Sequence, residues 1–73
     1  MVAPELLALL RCPTTLQPLH AAPPELLERL RRARPAERFE EALERADGAV
    51  VYPVRDGIPI MLPEEAIAIS TLP

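Results

Sequence analysis

The apolar residues of the N-terminal half recur at helical spacing in two short stretches. The first starts at Pro4, which suits the first turn of a helix, and ends before Pro13, since the residue preceding a proline is pushed out of helical geometry. Its apolar side is a set of leucines, namely Leu6, Leu7, Leu9 and Leu10. The second stretch runs from Pro24 to Pro35 and presents a stripe of Leu26, Leu27 and Leu30. The pattern predicts two amphipathic helices.

The segment between these helices is bracketed by prolines and predicts a short turn anchored by Leu16 and Leu19, with a brief strand over Leu19 to Ala21. After the second helix, residues 36–46 are helical by propensity. Their apolar positions Phe39, Ala42, Leu43 and Ala46 also follow helical spacing.

The C-terminal part is rich in turn signals and β-branched residues. Asp47-Gly48 predicts a turn, and Ala49 to Tyr52 predicts a strand. Arg55, Asp56 and Gly57 then form a tight turn, in which Gly57 supplies a positive φ. A second apolar run follows, made of Ile58, Pro59, Ile60, Met61 and Leu62. Pro63 to Glu65 predicts a final helical turn, and the tail is expected to fray.

Pro59 gives this last strand a defined place, because a proline cannot donate a backbone hydrogen bond and is confined to sheet edges. The order of elements predicts an α+β mini-domain that spans residues 1–73 as a single unit. A chain of 73 residues buries only about 60% of its unfolded surface, so its stability margin is thin and a partner chain would add to it.

Composition narrows the possible functions. The net charge of −3 argues against a nucleic-acid surface over the whole domain, and all eight basic residues are arginine. The one cysteine rules out an internal disulfide and fits a reducing compartment. With neither a signal-peptide pattern nor a membrane-spanning apolar stretch, the expected location is the cytoplasm.

Two groups of residues could carry chemistry. Cys12 would need a base, and His20 is the chain's one histidine, but two prolines separate them and no third orienting group is evident. The two residues also fall short of the four ligands of a structural zinc site. The arginines between Arg29 and Arg38 could contact RNA phosphates, although neither Phe39 nor Tyr52 belongs to an RNA-binding motif.

Two terminal motifs, LLALLRCP and YPVRDGIPIMLPEEAI, resemble the YcaR-like family. These bacterial proteins are relatives of the small subunit, of the Trm one-one-two type, that activates methyltransferases acting on RNA and release factors. The resemblance implies a small zinc-ribbon-like sheet with an N-terminal helix and, in this chain, a helical insertion. Zinc-bearing members have four cysteines, the first two as CPxC. Here Cys12 is kept and Thr15 stands at the second position, so the implied fold lacks its metal.

The resemblance also implies that residues 42–46 form a strand paired with Ala49 to Tyr52, in conflict with local helix propensity. The leading functional expectation is a non-catalytic module, without cofactor, that binds a partner protein such as a methyltransferase. Its contact residues are expected to be Leu6, Leu9, Leu10, Ile58, Pro59, Ile60, Met61 and Leu62. Arg55, Asp56 and Gly57 shape the turn. The alternatives are an RNA- or ribosome-associated factor that uses the Arg29–Arg38 helix, an enzyme that uses Cys12, and a homo-oligomer.

Overall fold

The chain folds around an antiparallel sheet with helices before and between its strands. The computed structural model describes residues 3–37 and 39–72, and within these ranges the sheet has five strands. In chain order the elements are α1 (Pro4–Leu9), β1 (Leu19–Ala21), α2 (Pro24–Ala33), β2 (Glu41–Arg45), β3 (Val50–Arg55), β4 (Ile58–Pro59) and β5 (Ile67–Ala68). Short 3-10 turns cover Pro35–Glu37, Pro63–Glu65 and Ile69–Thr71. The α+β class predicted from the sequence is confirmed.

Strand β3 is the centre of the sheet. It pairs with β2 on one side, while β4 and β5 share its other side, β4 opposite Val54 and Arg55 and β5 opposite Val50 and Val51. Strand β1 completes the sheet beyond β2. Strand β4 therefore lies at an edge, as Pro59 predicted.

Pro53 is a fully buried proline inside this central strand. Its carbonyl accepts a hydrogen bond from the Ile60 N–H at 2.9 Å. A residue's N–H and C=O point to the same side of a strand, so the nitrogen of Pro53 also faces this side. Position 53 falls between the residues paired with β4 and those paired with β5. The missing donor is tolerated because the neighbouring strand changes there.

Both faces of the sheet are covered by apolar residues. One cluster consists of Cys12, Leu19, Leu43, Tyr52 and Val54, with Leu7, Leu10 and Met61 packed against it. The other consists of Leu26, Leu30, Phe39, Ala42, Val51 and Ile67, which places α2 on the opposite face. Neighbouring residues of β2 and β3 therefore enter different clusters, as the alternation of a strand requires.

Two tight turns connect strands β2, β3 and β4. Gly48 has φ 72° in the loop between β2 and β3, and Asp56 and Gly57 have φ 52° and 76° in the turn before β4. Two successive positive φ values define a type I′ turn, which matches the twist of a hairpin and favours Asp-Gly. The predicted positive φ of Gly57 is confirmed.

The helix predicted over residues 36–46 is wrong. The segment is a 3-10 turn followed by strand β2, which pairs with β3 from Glu41↔Val54 to Glu44↔Val51. The pairing across Asp47-Gly48 that the family resemblance implied is thus present. Position in the sheet overrides local propensity, because β2 lies between two strands and buries Ala42 and Leu43 on opposite faces.

Three smaller expectations also need correction. The C-terminal tail does not fray: Ile67 is buried in β5, and Arg29 contacts the carbonyls of Ile69 and Leu72 at 3.4 and 3.5 Å. Leu16 is not a buried anchor but is 74% exposed, and its φ is 63°. The arginine-rich helix ends at Ala33, and the Arg38 assigned to it lies outside the described residues.

No helix in residues 3–37 and 39–72 combines the length and the apolar character needed to cross a membrane.

The turn geometry gives a first prediction. Gly57→Val should lower the free energy of unfolding by about 1 kcal/mol or more, because a β-branched residue resists positive φ. Gly57→Asn is the matched control, since asparagine tolerates this region and should cost much less. Thermal unfolding of both variants measures the difference, and equal melting temperatures would contradict the assignment of strain to this turn.

Candidate functional site

The turn before β4 is held in place by ion pairs. Arg55 donates to Glu65 at 2.8 Å and to Glu37 at 2.9 Å, and so joins the turn to both flanking 3-10 turns. The hydrogen bond to Glu65, followed by the one to Glu37, raises the pKa of Arg55 above its ordinary value, against an opposing effect of burial. Arg55 thus connects the turn to two other segments of the chain. The contribution of such exposed pairs to stability is modest.

The apolar run after this turn divides into an outer and an inner side. Ile58 is 62% exposed and Leu62 is also exposed, with Ile60 half-buried between them. Met61 points the other way and packs against the cluster that contains Tyr52 and Val54. Of the contact residues predicted in this segment, Ile58 and Leu62 therefore face outward and Met61 faces inward.

The leucines of α1 divide in the same way. Leu9 is 79% exposed and Leu6 is exposed as well, whereas Leu7 and Leu10 pack against the cluster that also receives Met61. Leu10, which the sequence analysis assigned to the contact surface, is thus half-buried. Helix α1 and the segment after β4 cover the same face of the sheet. We call the outward residues Leu6, Leu9, Ile58 and Leu62 the apolar rim.

An open groove of about 330 Å³ lies beside the turn. Its lining is mostly acidic and comprises Glu37, Glu40, Glu41, Val54, Arg55, Asp56 and Gly57. Within residues 3–37 and 39–72, no three His, Cys, Asp or Glu side chains are arranged to hold a metal ion, in this groove or elsewhere.

Cys12 is fully buried at the opposite end of β3 and lies among polar groups. Its Sγ is 3.1 Å from the Tyr52 hydroxyl, 3.3 Å from the Thr14 hydroxyl and 3.6 Å from the Arg45 guanidinium. His20 is not part of this group, because its ring contacts Glu44 at 2.6 Å across β1 and β2. The structure therefore does not bring together the Cys12–His20 pair considered from the sequence.

Arg45 is oriented by Asp47, which accepts two hydrogen bonds of 2.8 Å from its guanidinium. Asp47 also accepts from the Ala49 N–H at 3.0 Å and from Gln17 at 3.2 Å. These hydrogen bonds, led by the one from Arg45, hold the pKa of Asp47 well below its usual range. No sequence motif marks this network, since Cys12 and Arg45 are 33 residues apart.

The pKa values of the buried residues Cys12 and Tyr52 are shifted in opposite directions. Burial raises the pKa of Cys12, but hydrogen bonds from Thr14, Thr15, Tyr52 and Arg45 outweigh it and lower that pKa to about 5. Burial, together with the hydrogen bond to Cys12, raises the pKa of Tyr52 to about 12.

The arginines of α2 and the adjoining Arg34 are engaged within the chain. Arg31 donates to the Phe39 carbonyl at 2.7 Å, and Arg29 contacts the two C-terminal carbonyls described above. Arg32 pairs with Glu28, and Arg34 pairs with Glu37, each at 3.4 Å. An RNA backbone would have to compete with these contacts.

These observations define a small α+β domain with an antiparallel sheet, an edge strand and an apolar rim. No protein-family model matches the sequence. The chain is 43% identical to a UPF0434 protein of Bradyrhizobium sp. strain BTAi1 over 67 residues, which cover 89% of this chain and 77% of that protein. It is 45% identical to a UPF0434 protein of Mesorhizobium japonicum, over 94% of this chain and 67% of the relative.

The fold is also found in a solved structure. The solution NMR structure of XF2673 from Xylella fastidiosa superimposes with a TM-score of 0.70 at 36% identity, over 94% of this chain and 87% of that one. The chain belongs to the UPF0434 family. This membership is consistent with the YcaR-like label that the two terminal motifs indicated.

The surroundings of Cys12 give a second prediction, that the pure protein holds no stoichiometric zinc. Zinc binds thiolate and imidazole ligands, whereas here a guanidinium occupies one side of the sulfur and hydroxyls the others. Elemental analysis of protein purified without chelator is the measurement. One tightly held metal ion per chain, lost in Cys12→Ala, would contradict it.

Proposed function

We propose that the chain is a non-catalytic binding module that covers an apolar patch on a partner protein. The observation that carries the proposal is the apolar rim, in which Leu9 and Ile58 expose most of their surface to water. Large apolar side chains left exposed in this way are candidates for contact with a partner. The neighbouring residues Leu10 and Met61 pack inward on one cluster, which leaves Leu9 and Leu62 on the outside.

The backbone of β4 limits how a partner can approach. The Ile60 N–H points inward to Pro53, so the preceding position directs its nitrogen outward, and Pro59 has no hydrogen to donate there. A partner strand would find an interrupted ladder along this edge. Contact is therefore made chiefly by the side chains of the apolar rim, and the interrupted edge discourages pairing between copies of the chain.

The partner we propose is an S-adenosylmethionine-dependent methyltransferase that acts on RNA or protein, with this chain as its activating subunit. The support is the resemblance of the two terminal motifs to the Trm one-one-two type. Those small subunits act without a catalytic centre and cover an apolar surface of their enzyme. A short chain with a thin stability margin and an uncovered apolar face fits that role.

The alternative, an RNA- or ribosome-associated factor, is less well supported. It depends on the arginines of α2 and the adjoining Arg34, and four of these, Arg29, Arg31, Arg32 and Arg34, already contact a carboxylate or carbonyl of the same chain. A steep fall of RNA affinity with salt would favour it.

The third prediction tests the apolar rim. The chain is co-expressed with each RNA- or release-factor methyltransferase of its source organism, and co-purification and methyl transfer are measured. Ile58→Glu and Leu62→Glu should abolish both, while changing the free energy of unfolding by only about 0.5 kcal/mol, because these side chains are exposed. Met61→Glu should instead destabilise the fold, since Met61 packs on the core.

Leu16→Glu is the matched control. Leu16 is exposed to at least the same extent, 74% against 62% for Ile58, but lies in the loop that Gln17 joins to Asp47, at the opposite end of β3. It should leave capture and activity intact. The proposal fails if Ile58→Glu and Leu16→Glu behave alike. If the chain forms a dimer that Ile58→Glu dissociates, the rim serves self-association instead.

A further inference from the structure

The polar side chains around Cys12 are not part of the binding surface proposed above. Three separate parts of the chain converge on one sulfur atom: the loop after α1 through Thr14, strand β2 through Arg45, and strand β3 through Tyr52. The loop itself folds back on Cys12, whose N–H donates to Gln17 at 2.9 Å and whose carbonyl accepts from Leu16 at 2.8 Å. The sulfur thus sits where this loop meets the sheet.

The partners of the sulfur are suited to an anion. The hydroxyls of Thr14 and Tyr52 can each turn a hydrogen toward it, and the guanidinium of Arg45 can only donate. A neutral thiol is a weak acceptor and has one proton of its own, so three donors around it would be poorly used. A thiolate accepts all three, and a nearby arginine is the kind of neighbour that stabilises one.

Arg45 is itself placed for this role. Its side chain is 13% exposed, and Asp47 fixes its guanidinium with two hydrogen bonds. The cluster that contains Cys12 is otherwise apolar apart from Tyr52, with Leu19 from β1, Leu43 from β2 and Val54 from β3, and with Leu7 and Leu10 packed against it. Arg45 and Tyr52 are therefore the titratable side chains in contact with Cys12 among the described residues, with Asp47 behind Arg45.

We propose that Cys12 is held as a thiolate that forms a buried ion pair with Arg45, and that this pair fastens the loop of residues 13–18 to the sheet. Protonation of the sulfur removes the charge that Arg45 and the two hydroxyls stabilise, and the loop loosens. The sulfur is fully enclosed, so the thiolate serves this contact and is not presented to a substrate.

The direction of the pH effect follows from the lowered pKa. The pKa of Cys12 falls from 9.0 to about 5 in the folded chain, so the folded state binds its proton less tightly than the unfolded state does. The stabilisation is therefore fully present above pH 9 and is lost as the pH falls toward 5. Over this pH interval, the free energy of unfolding of the wild type should rise by more than that of Cys12→Ala.

The fourth prediction is a direct titration of the sulfur by the ultraviolet absorbance of the thiolate, with Cys12→Ala as the blank. Native protein should show the thiolate band at neutral pH, with a midpoint well below that of the same protein in denaturant. Tyrosinate does not interfere there, because Tyr52 titrates only at about pH 12. A native midpoint equal to or above the denatured one would overturn the proposal.

Two variants of Arg45 test whether its guanidinium is the counter-ion of the Cys12 thiolate. Arg45→Lys keeps the cation and should retain most of the neutral-pH thiolate band, whereas Arg45→Gln should raise the midpoint by at least one pH unit, a tenfold change in acidity. An unchanged midpoint in Arg45→Gln would exclude Arg45 as the counter-ion and overturn the ion pair. If that variant fails to fold, the wild-type titration and the comparison of melting with Cys12→Ala still decide the matter.

Amide hydrogen exchange tests the effect on the loop. The N–H groups of Cys12 and Leu16 should lose protection as the pH approaches 5, after correction for intrinsic exchange, while those of β2 and β3 stay protected. Protection at Cys12 and Leu16 that does not change as the sulfur is protonated would contradict the fastening role.

Discussion

Strand β3 is the element on which the rest of the structure depends, because three of the other four described strands hydrogen-bond to it. The strands on its two sides differ in length: β2 runs alongside most of β3, whereas β4 and β5, on the other side, have two residues each. Pro53 explains this division. A continuous strand on that side would meet a residue without a donor, and two short strands separated at position 53 avoid the loss. The turn of Arg55 leads into β4, and the C-terminal tail follows β5, so both depend on this arrangement.

The two ends of β3 carry different chemistry. The end near Arg55 exposes apolar side chains and is bordered by carboxylates, and the end near Val50 encloses a sulfur and a guanidinium. Helix α1 lies over the cluster that contains Cys12: Leu7 and the adjoining Leu10 pack on it, while Leu6 and Leu9 face outward. Anything that shifts the loop after α1 therefore changes the support beneath the exposed leucines. In a chain with a core this small, the proposed partner and the internal polar group would stabilise the same helix.

Features with a local cause could be predicted from the sequence. Proline and glycine limit the backbone within one or two residues, so the start of α2, the brief strand β1 and the Asp56-Gly57 turn were predictable. Strand β2 was indicated by the family resemblance but not by the local pattern, because the two faces of the sheet each receive one of the adjacent residues Ala42 and Leu43. Burial of both removes the alternation by which a strand is recognised, and what remains follows helical spacing. Strand β5 is two residues long and exists only through its pairing with β3.

The candidate sites show the same limit. The apolar rim was predictable in outline, since a run containing Ile58 and Leu62 after a tight turn is visible in the sequence, but which side chains turn inward depended on the cluster below. The contacts of Cys12 with Arg45 and Tyr52 span 33 and 40 residues, and no local pattern relates them.

Tyr52 has a practical consequence for the study of this protein. It is the chain's one tyrosine, and the sequence has no tryptophan, so almost all near-ultraviolet signal arises from a single ring in the middle of the sheet. Its hydroxyl contacts the Cys12 sulfur, and the residue belongs to the apolar cluster on that face of the sheet. Near-ultraviolet circular dichroism therefore reports the packing of one cluster, while the far-ultraviolet signal reports the backbone of the whole chain. Tyr52 thus acts as an intrinsic probe of this cluster. A state with intact strands but loosened core packing would lose the near-ultraviolet signal and keep the far-ultraviolet one, without any chemical labelling.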